Sequence, residues 1–146
     1  MKRLFSALIA FWLLAPVSAA AVAADPTLAF SEIYKSVGVL GMQFSDKLLS
    51  LKGKRISIKG FMAPPLKAEA SFFVLTREPV ALCPFCNSDS DWPADILVVY
   101  LGSDQEFVQN SQPIEVSGVL EVGPESDPQT GFYSRLRLTS AHYDTL

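Results

Sequence analysis

From Ile114 to Val122 the chain changes character at almost every residue. Ile114, Val116, Gly118, Leu120 and Val122 share one parity, and Glu115, Ser117 and Glu121 share the other. A period of two belongs to a strand with one face in a core and the other in solvent, and a helix would scatter these residues around its circumference. The period recurs in Arg55-Ile56-Ser57-Ile58-Lys59, which Pro64 and Pro65 close off. It recurs again from Ser134 to Ala141, where Leu136 and Leu138 oppose Arg135 and Arg137. Ser71 to Thr76 (SFFVLT) reads as a further strand. Ile96 to Leu101 (ILVVYL) is an unbroken apolar run, as expected of a central strand buried on both faces. The turn-rich GPESDPQTG, Gly123 to Gly131, separates the last two strands. A short helical or turn segment is expected over Asp104 to Asn110.

Helical signals are few. Ser45 is placed as an N-cap, Asp46 falls in the first turn, Leu48, Leu49 and Leu51 make a short apolar face, and Gly53 stands where a helix stops. The expectation is a two-turn helix over about 46–52. Five strands with one or two short helices make the chain mainly β, and a small five-stranded OB-like barrel fits their number and length. A sandwich usually needs about seven strands. Gly60 and Gly118 lie inside strand patterns, where a barrel bends sharply. Residues 25–44 read as an irregular N-terminal segment, with a short helix over Leu28 to Lys35 carrying Phe30, Ile33 and Tyr34 on one side. The barrel domain is assigned to 45–146, with no internal repeat or linker.

Residues 1–24 read as a signal peptide. Lys2 and Arg3 precede an uncharged run from Leu4 to Leu14, Pro16 breaks it, and small residues follow to Ala24. The run is too short for a permanent membrane span, which takes roughly 20 residues. Export to the periplasm or beyond is therefore expected, with no stable membrane span after cleavage. Removing Lys2 and Arg3 leaves 10 basic against 15 acidic residues. A surplus of acid disfavours a nucleic-acid partner, which calls for a basic stripe.

The chain's 2 cysteines, Cys83 and Cys86, stand in LCPFCNSDSDWP, Leu82 to Pro93. Three readings compete. A thiol–disulfide oxidoreductase needs its first cysteine at a helix N-terminus, which lowers the thiol pKa. Here Asn87 to Pro93 are poor helix formers, and nearby aspartates would raise that pKa. A zinc site needs four ligands. Cys83 and Cys86 would take Asp89, Asp91 or Asp95 and the lone histidine, His142, if the last strand lies beside the loop. A disulfide, preferred for an exported chain, closes a four-residue ring worth roughly 2 kcal/mol and mainly stiffens the loop.

Phe72, Phe73, Phe85, Trp92, Phe132 and Tyr133 gather around predicted strands and loops. Phe85 and Trp92 are the candidates for a binding face, the alternative being core and rim packing. Arg135 and Arg137, with Lys59 on a neighbouring strand, offer either an anion patch or ion pairs with Glu115 and Glu121. No Ser-His-Asp set, phosphate-cradling glycine loop or trustworthy carboxylate pair is present, so no catalytic residue is assigned and the chain reads as a non-catalytic accessory or binding protein, the alternatives being the thiol–disulfide oxidoreductase or a purely structural interaction module.

The run GKRISIKGFMAPP (Gly53 to Pro65), then FFVL (Phe72 to Leu75), a cysteine loop and the apolar strand Ile96 to Leu101 resembles a family of small exported bacterial proteins. The likeness covers about residues 45–143. It implies an OB-like fold and, because members are often encoded beside ABC-type transport systems for zinc or other metals, an accessory role in envelope metal homeostasis. Its implied partners are such a transporter or another periplasmic protein. Many members carry a Cys-x-His loop where this chain has Cys83-Pro84-Phe85-Cys86-Asn87, so Cys86 would have to replace the histidine.

Overall fold

A computed structural model of the protein describes residues 24–38, 41–65, 71–81, 92–103, 105–106, 108 and 111–146. The expected signal peptide, apart from Ala24, and the cysteine segment at 82–91 lie outside the described residues. So does most of the turn expected near 104–110.

The barrel strands are β3 (Arg55–Met62), β4 (Phe72–Thr76), β5 (Ile96–Leu101), β6 (Pro113–Ser126) and β7 (Tyr133–Thr145). Two further strands precede them, β1 (Tyr34–Gly38) and β2 (Gly41–Phe44), followed by helix α1 (Asp46–Leu51). The barrel closes in the order β3-β4-β5-β7-β6, with β6 returning to β3. Every pairing is antiparallel except β5 with β7. Counted among the barrel strands alone, the order is 1-2-3-5-4, the Greek-key ring of an OB barrel.

The alternating positions behave as their period dictates. Ile56, Ile58, Ile114, Val116, Leu120, Leu136 and Leu138 are all fully buried, whereas β4 and the first four residues of β5 are buried on both faces. β3 changes partner near its end. Arg55 to Phe61 pair with β6, and Phe61 and Met62 pair with Thr76 and Leu75 of β4. At this crossover a Cβ on Gly60 would meet the Thr76 carbonyl oxygen at 2.6 Å and Leu75 Cγ at 3.0 Å. Only glycine lets the strands approach so closely.

Helix α1 follows its sequence signals. Ser45 Oγ accepts the Leu48 amide at 3.0 Å, and Leu48 and Leu51 face the core.

The segment before α1 departs from expectation. Regular elements occupy Phe30–Glu32, Tyr34–Gly38 and Gly41–Phe44, and no α-helix forms over Leu28 to Lys35. Phe30–Glu32 make one 3-10 turn, and β1 and β2 pair as a hairpin, Tyr34 against Phe44. Tertiary contacts override the weak helical pattern. Leu28 N donates to the Ser57 carbonyl (2.9 Å), Ser57 N donates to the Pro26 carbonyl (3.1 Å), and Leu28 and Ile33 are wholly buried. Glu32 receives the Ala29 amide at 2.9 Å and Lys47 Nζ at 2.6 Å. Those bonds, Lys47 first, hold its carboxyl below the ordinary value.

β6 and β7 both exceed their expected lengths, which moves the turn between them. A register shift between Val122 and Glu125, with Gly123 at φ +135°, carries β6 past the expected loop start, and pairing resumes at Glu125 with Ser134. β7 has its own irregularity at Ser140, a non-glycine residue at φ 47°, where its registers with both β5 and β6 shift.

Candidate functional site

The extended β6–β7 hairpin ends in the turn Asp127-Pro128-Gln129-Thr130-Gly131. Asp127 organises it. Oδ1 accepts from Thr130 N (2.8 Å), Thr130 Oγ1 (2.8 Å) and Gln129 N (3.2 Å), while Oδ2 accepts from the Tyr100 hydroxyl at 3.1 Å. The main chain closes the loop with Gly131 N to the Asp127 carbonyl (2.8 Å) and Asp127 N to the Phe132 carbonyl (2.9 Å). Asp127 is 4% exposed. Its burial opposes ionisation, but the Thr130, Tyr100 and Gln129 donors outweigh that and hold the carboxyl below the ordinary value. The Tyr100 phenol moves the other way, to about 12, through burial first and then the Asp127 carboxylate beside it.

Arg137 is the second anchor. It lies opposite Glu121 on β6 and is 7% exposed. Nε meets Glu121 Oε2 at 3.3 Å, and Nη1 donates to the Gly123 carbonyl (3.0 Å) and Ser134 Oγ (3.1 Å). Thr139 Oγ1 donates to Glu121 Oε1 at 3.3 Å. Beneath this layer Phe72 packs on Tyr100 and on Phe132, with ring centroids 5.4 and 5.3 Å apart.

Tyr100, Glu121, Asp127, Arg137 and Thr139 wall an open cleft of about 440 Å³ whose rim is Ser71, Glu125, Ser126, Pro128 and Gln129. The volume falls within the range of small-molecule sites, roughly 300–1,000 Å³. Ser71 ends the connection between the first two barrel strands, and the turn joins the last two. OB barrels bind oligonucleotides and oligosaccharides with these two loops.

The described residues among those singled out in the sequence are dispersed. Trp92 packs inward, against the core. It is 8% exposed, and its Nε1 donates to Tyr34 Oη at 3.1 Å. Tyr34 in turn stacks on Phe44, with centroids 5.2 Å apart, and the Arg135 guanidinium lies 5.6 Å from the centre of Phe44. Phe72 and Phe73 belong to the core. The proposed anion patch does not form: Arg137 is paired with Glu121, Arg135 covers Phe44, and Lys59 lies on β3, opposite Glu115 of β6.

Of the candidate metal ligands, Cys83, Cys86, Asp89 and Asp91 lie outside the described residues, as does Phe85. Asp95 and His142 do not converge. Asp95 precedes β5, whereas parallel pairing sets Ala141 beside Leu101 at the other end. Six strand residues at about 3.3 Å each separate the two levels, roughly 20 Å. His142 is half exposed and lies 3.6 Å from Asp144. The described residues contain no group of three His, Cys, Asp or Glu side chains able to hold a metal ion. The described residues expected to help bind zinc therefore do not fit that role together.

Sequence reasoning missed the Asp127–Tyr100–Arg137 site. One signal was available: Asp-Pro-x-Thr-Gly is a strong turn sequence in which Asp can accept the amides that follow. Nothing local showed that Tyr100, 27 positions away, would complete it.

Fold and cleft together define a small closed OB-type β-barrel with an open cleft at one hairpin turn. A solved structure of similar fold is the crystal structure of a DUF3299 family protein from Pseudomonas aeruginosa PAO1, 14% identical, with a TM-score of 0.55 over 85% of this chain and 97% of that one. At that identity the likeness concerns the fold alone. No protein-family model and no curated protein matches the sequence.

Proposed function

We propose that the chain is an exported, non-catalytic binding protein of the cell envelope, with its ligand site in the cleft between β5 and the β6–β7 turn. The observation that carries this reading is that the site's two buried charged groups are already committed. Asp127 receives four donors and Arg137 serves three acceptors. Groups so tied hold a surface in shape rather than move protons, and pre-formed surfaces favour binding. The charged start and apolar run of residues 2–14 support export.

An amide-resolved NMR screen of small polar compounds tests the site. Binding compounds should shift Ser71, Gln129, Thr130 and Thr139 together. Shifts confined to other surfaces, or none, would contradict it. A metal-linked accessory role is a second reading favoured by the Cys83–Cys86 pair and would rest on those cysteines with Asp89 and Asp91. Metal analysis of the reduced protein tests it, with less than about a tenth of an equivalent of zinc counting against it under tetrahedral zinc ligation.

A further inference from the structure

We infer that β1 accepts a third strand: an extended peptide segment of a partner protein, carrying an acidic side chain for Lys35 and an apolar one for Val37. This surface is separate from the cleft and does not depend on it. The barrel strands close on one another, whereas β1 and β2 form a sheet of two. A two-stranded ribbon is marginal in water, and a third strand or a supporting surface stabilises it. β2 has such a surface: it alternates between exposed and half-buried residues, and Met42 and Phe44 pack against the core. β1 has little beyond Tyr34. Lys35, Ser36, Val37 and Gly38 are all exposed, Val37 at 63%. A run of exposed residues in a strand means that neither of its faces is covered there, and a Cβ on Gly38 would meet nothing within 4 Å. Among the described residues, no backbone group from Tyr34 to Gly38 bonds outside the ribbon. The outer edge of β1 therefore presents unpaired N–H and C=O groups, the template on which extended peptides dock.

The root of the ribbon is fixed. Tyr34 accepts from Trp92 Nε1 at 3.1 Å and stacks on Phe44, and Ser45 N donates to the Ile33 carbonyl at 2.9 Å. β1 is thus held extended before a partner arrives, which limits the ordering cost of binding. Charge then selects the occupant. The register shift between Tyr34 and Ser36 leaves Lys35 without a residue opposite it on β2. From Tyr34 to Phe44 the sequence holds Lys35 and no acidic residue, in a chain of 15 acidic against 12 basic residues. The Arg135 guanidinium lies over Phe44 at the root of the ribbon, and neither cation has an ion pair among the described residues. Opposite charges on paired strands attract and like charges repel, so this edge selects an acidic strand and rejects a basic one. Other occupants suit it less. A stable dimer takes roughly 20–30 residues a side, and β1 offers 5. A bilayer would leave the edge groups unpaired in hydrocarbon, where they are costly.

The test is an NMR titration of the whole protein with three synthetic peptides: one alternating valine with glutamate, one alternating valine with lysine, and the glutamate peptide with its central residues replaced by proline. The expected result is saturable shifts at Lys35, Ser36, Val37 and Gly38 with the glutamate peptide, and slower hydrogen exchange along β1. The lysine peptide should bind about 3- to 10-fold more weakly at low salt, with the gap narrowing at high salt. The proline peptide, which cannot donate along its centre, should be silent. Lys35→Glu should reverse the preference between the first two peptides, and Val37→Ser should weaken both by about 2- to 5-fold. Both side chains are exposed, so the fold survives either change. Silence of the glutamate peptide at β1, equal binding of the proline peptide, or a preference unchanged by Lys35→Glu would each overturn the inference. So would peptide shifts confined to the cleft. Shifts at β1 that follow protein concentration alone, or that vesicles of phosphatidylglycerol produce, would assign the edge to a second copy or to a membrane surface and overturn it as well. Overhauser contacts between β1 and residues 82–91 in the free protein would do the same, because the chain would then cover its own edge.

Discussion

Replacing Tyr100 with Phe separates two contributions that the wild-type protein combines. At neutral pH the phenol donates to Asp127 Oδ2 at 3.1 Å. A hydrogen bond to a charged acceptor contributes about 1.5–3 kcal/mol, and partial exposure lets water replace some of it, so Tyr100→Phe should destabilise by about 1 kcal/mol at pH 7. Alkaline pH reverses the comparison. The phenol's pKa rises from 10.0 to about 12 on folding, chiefly through burial and then through Asp127. A group raised in the folded state contributes stability that is whole below the unfolded value and lost as pH climbs through the folded one. The window here is pH 10 to 12. Two pKa units correspond to about 2.7 kcal/mol, reduced to about 1–2 by solvent screening of a half-buried ring. Urea denaturation at pH 8 and at pH 11.5 measures both effects. The wild type should lose more stability between these values than Tyr100→Phe does, by about 1 kcal/mol or more. Parallel losses in the two proteins would refute the reasoning, because Tyr100 would then ionise as freely folded as unfolded.

Asp127 should govern the acid limb. Its folded pKa lies below the ordinary 3.8, so its contribution is present above that value and disappears as the pH falls below it. Asp127→Asn should therefore flatten the stability profile below pH 4 in acid denaturation followed by circular dichroism. Gly60→Ala should destabilise by about 2–3 kcal/mol in urea, because the added Cβ would press a backbone oxygen at 2.6 Å that cannot step aside. Ser140→Gly should raise thermal stability by up to about 1 kcal/mol, since φ 47° strains any residue with a Cβ and the chain entropy lost by glycine offsets only part of the relief. Trp92→Phe should lower stability by about 1 kcal/mol in the same assay, by removing the donor to half-buried Tyr34.

What the sequence revealed depended on how local each signal was. The parity of Ile114 to Val122 and the apolar run Ile96 to Leu101 are written in consecutive residues, and both fix their strands wherever the rest of the chain goes. Ser45 and Gly53 bracket α1 for the same reason. The hairpin at 34–44 was invisible because Leu28 and Ile33 owe their positions to β3 and the core rather than to their neighbours. Trp92 looked like a rim aromatic because its partner, Tyr34, is 58 residues away. Arg137 alternates with leucines and so reads as solvent-facing. Its burial follows from the register of β6, which sets Glu121 across from it, and from the irregularity after Val122, which brings the Gly123 carbonyl within reach. A site assembled from strand-to-strand register leaves almost no trace in local sequence pattern, whereas the barrel that carries it is built from repeated local patterns.

The most direct measurement is a crystal structure of the protein with whichever compound binds in the NMR screen. Density for that compound between Tyr100, Gln129 and Arg137, with the Asp127 turn unchanged, is the predicted result. A ligand held instead at the Cys83–Cys86 segment, with the β5 cleft containing only solvent, would contradict it.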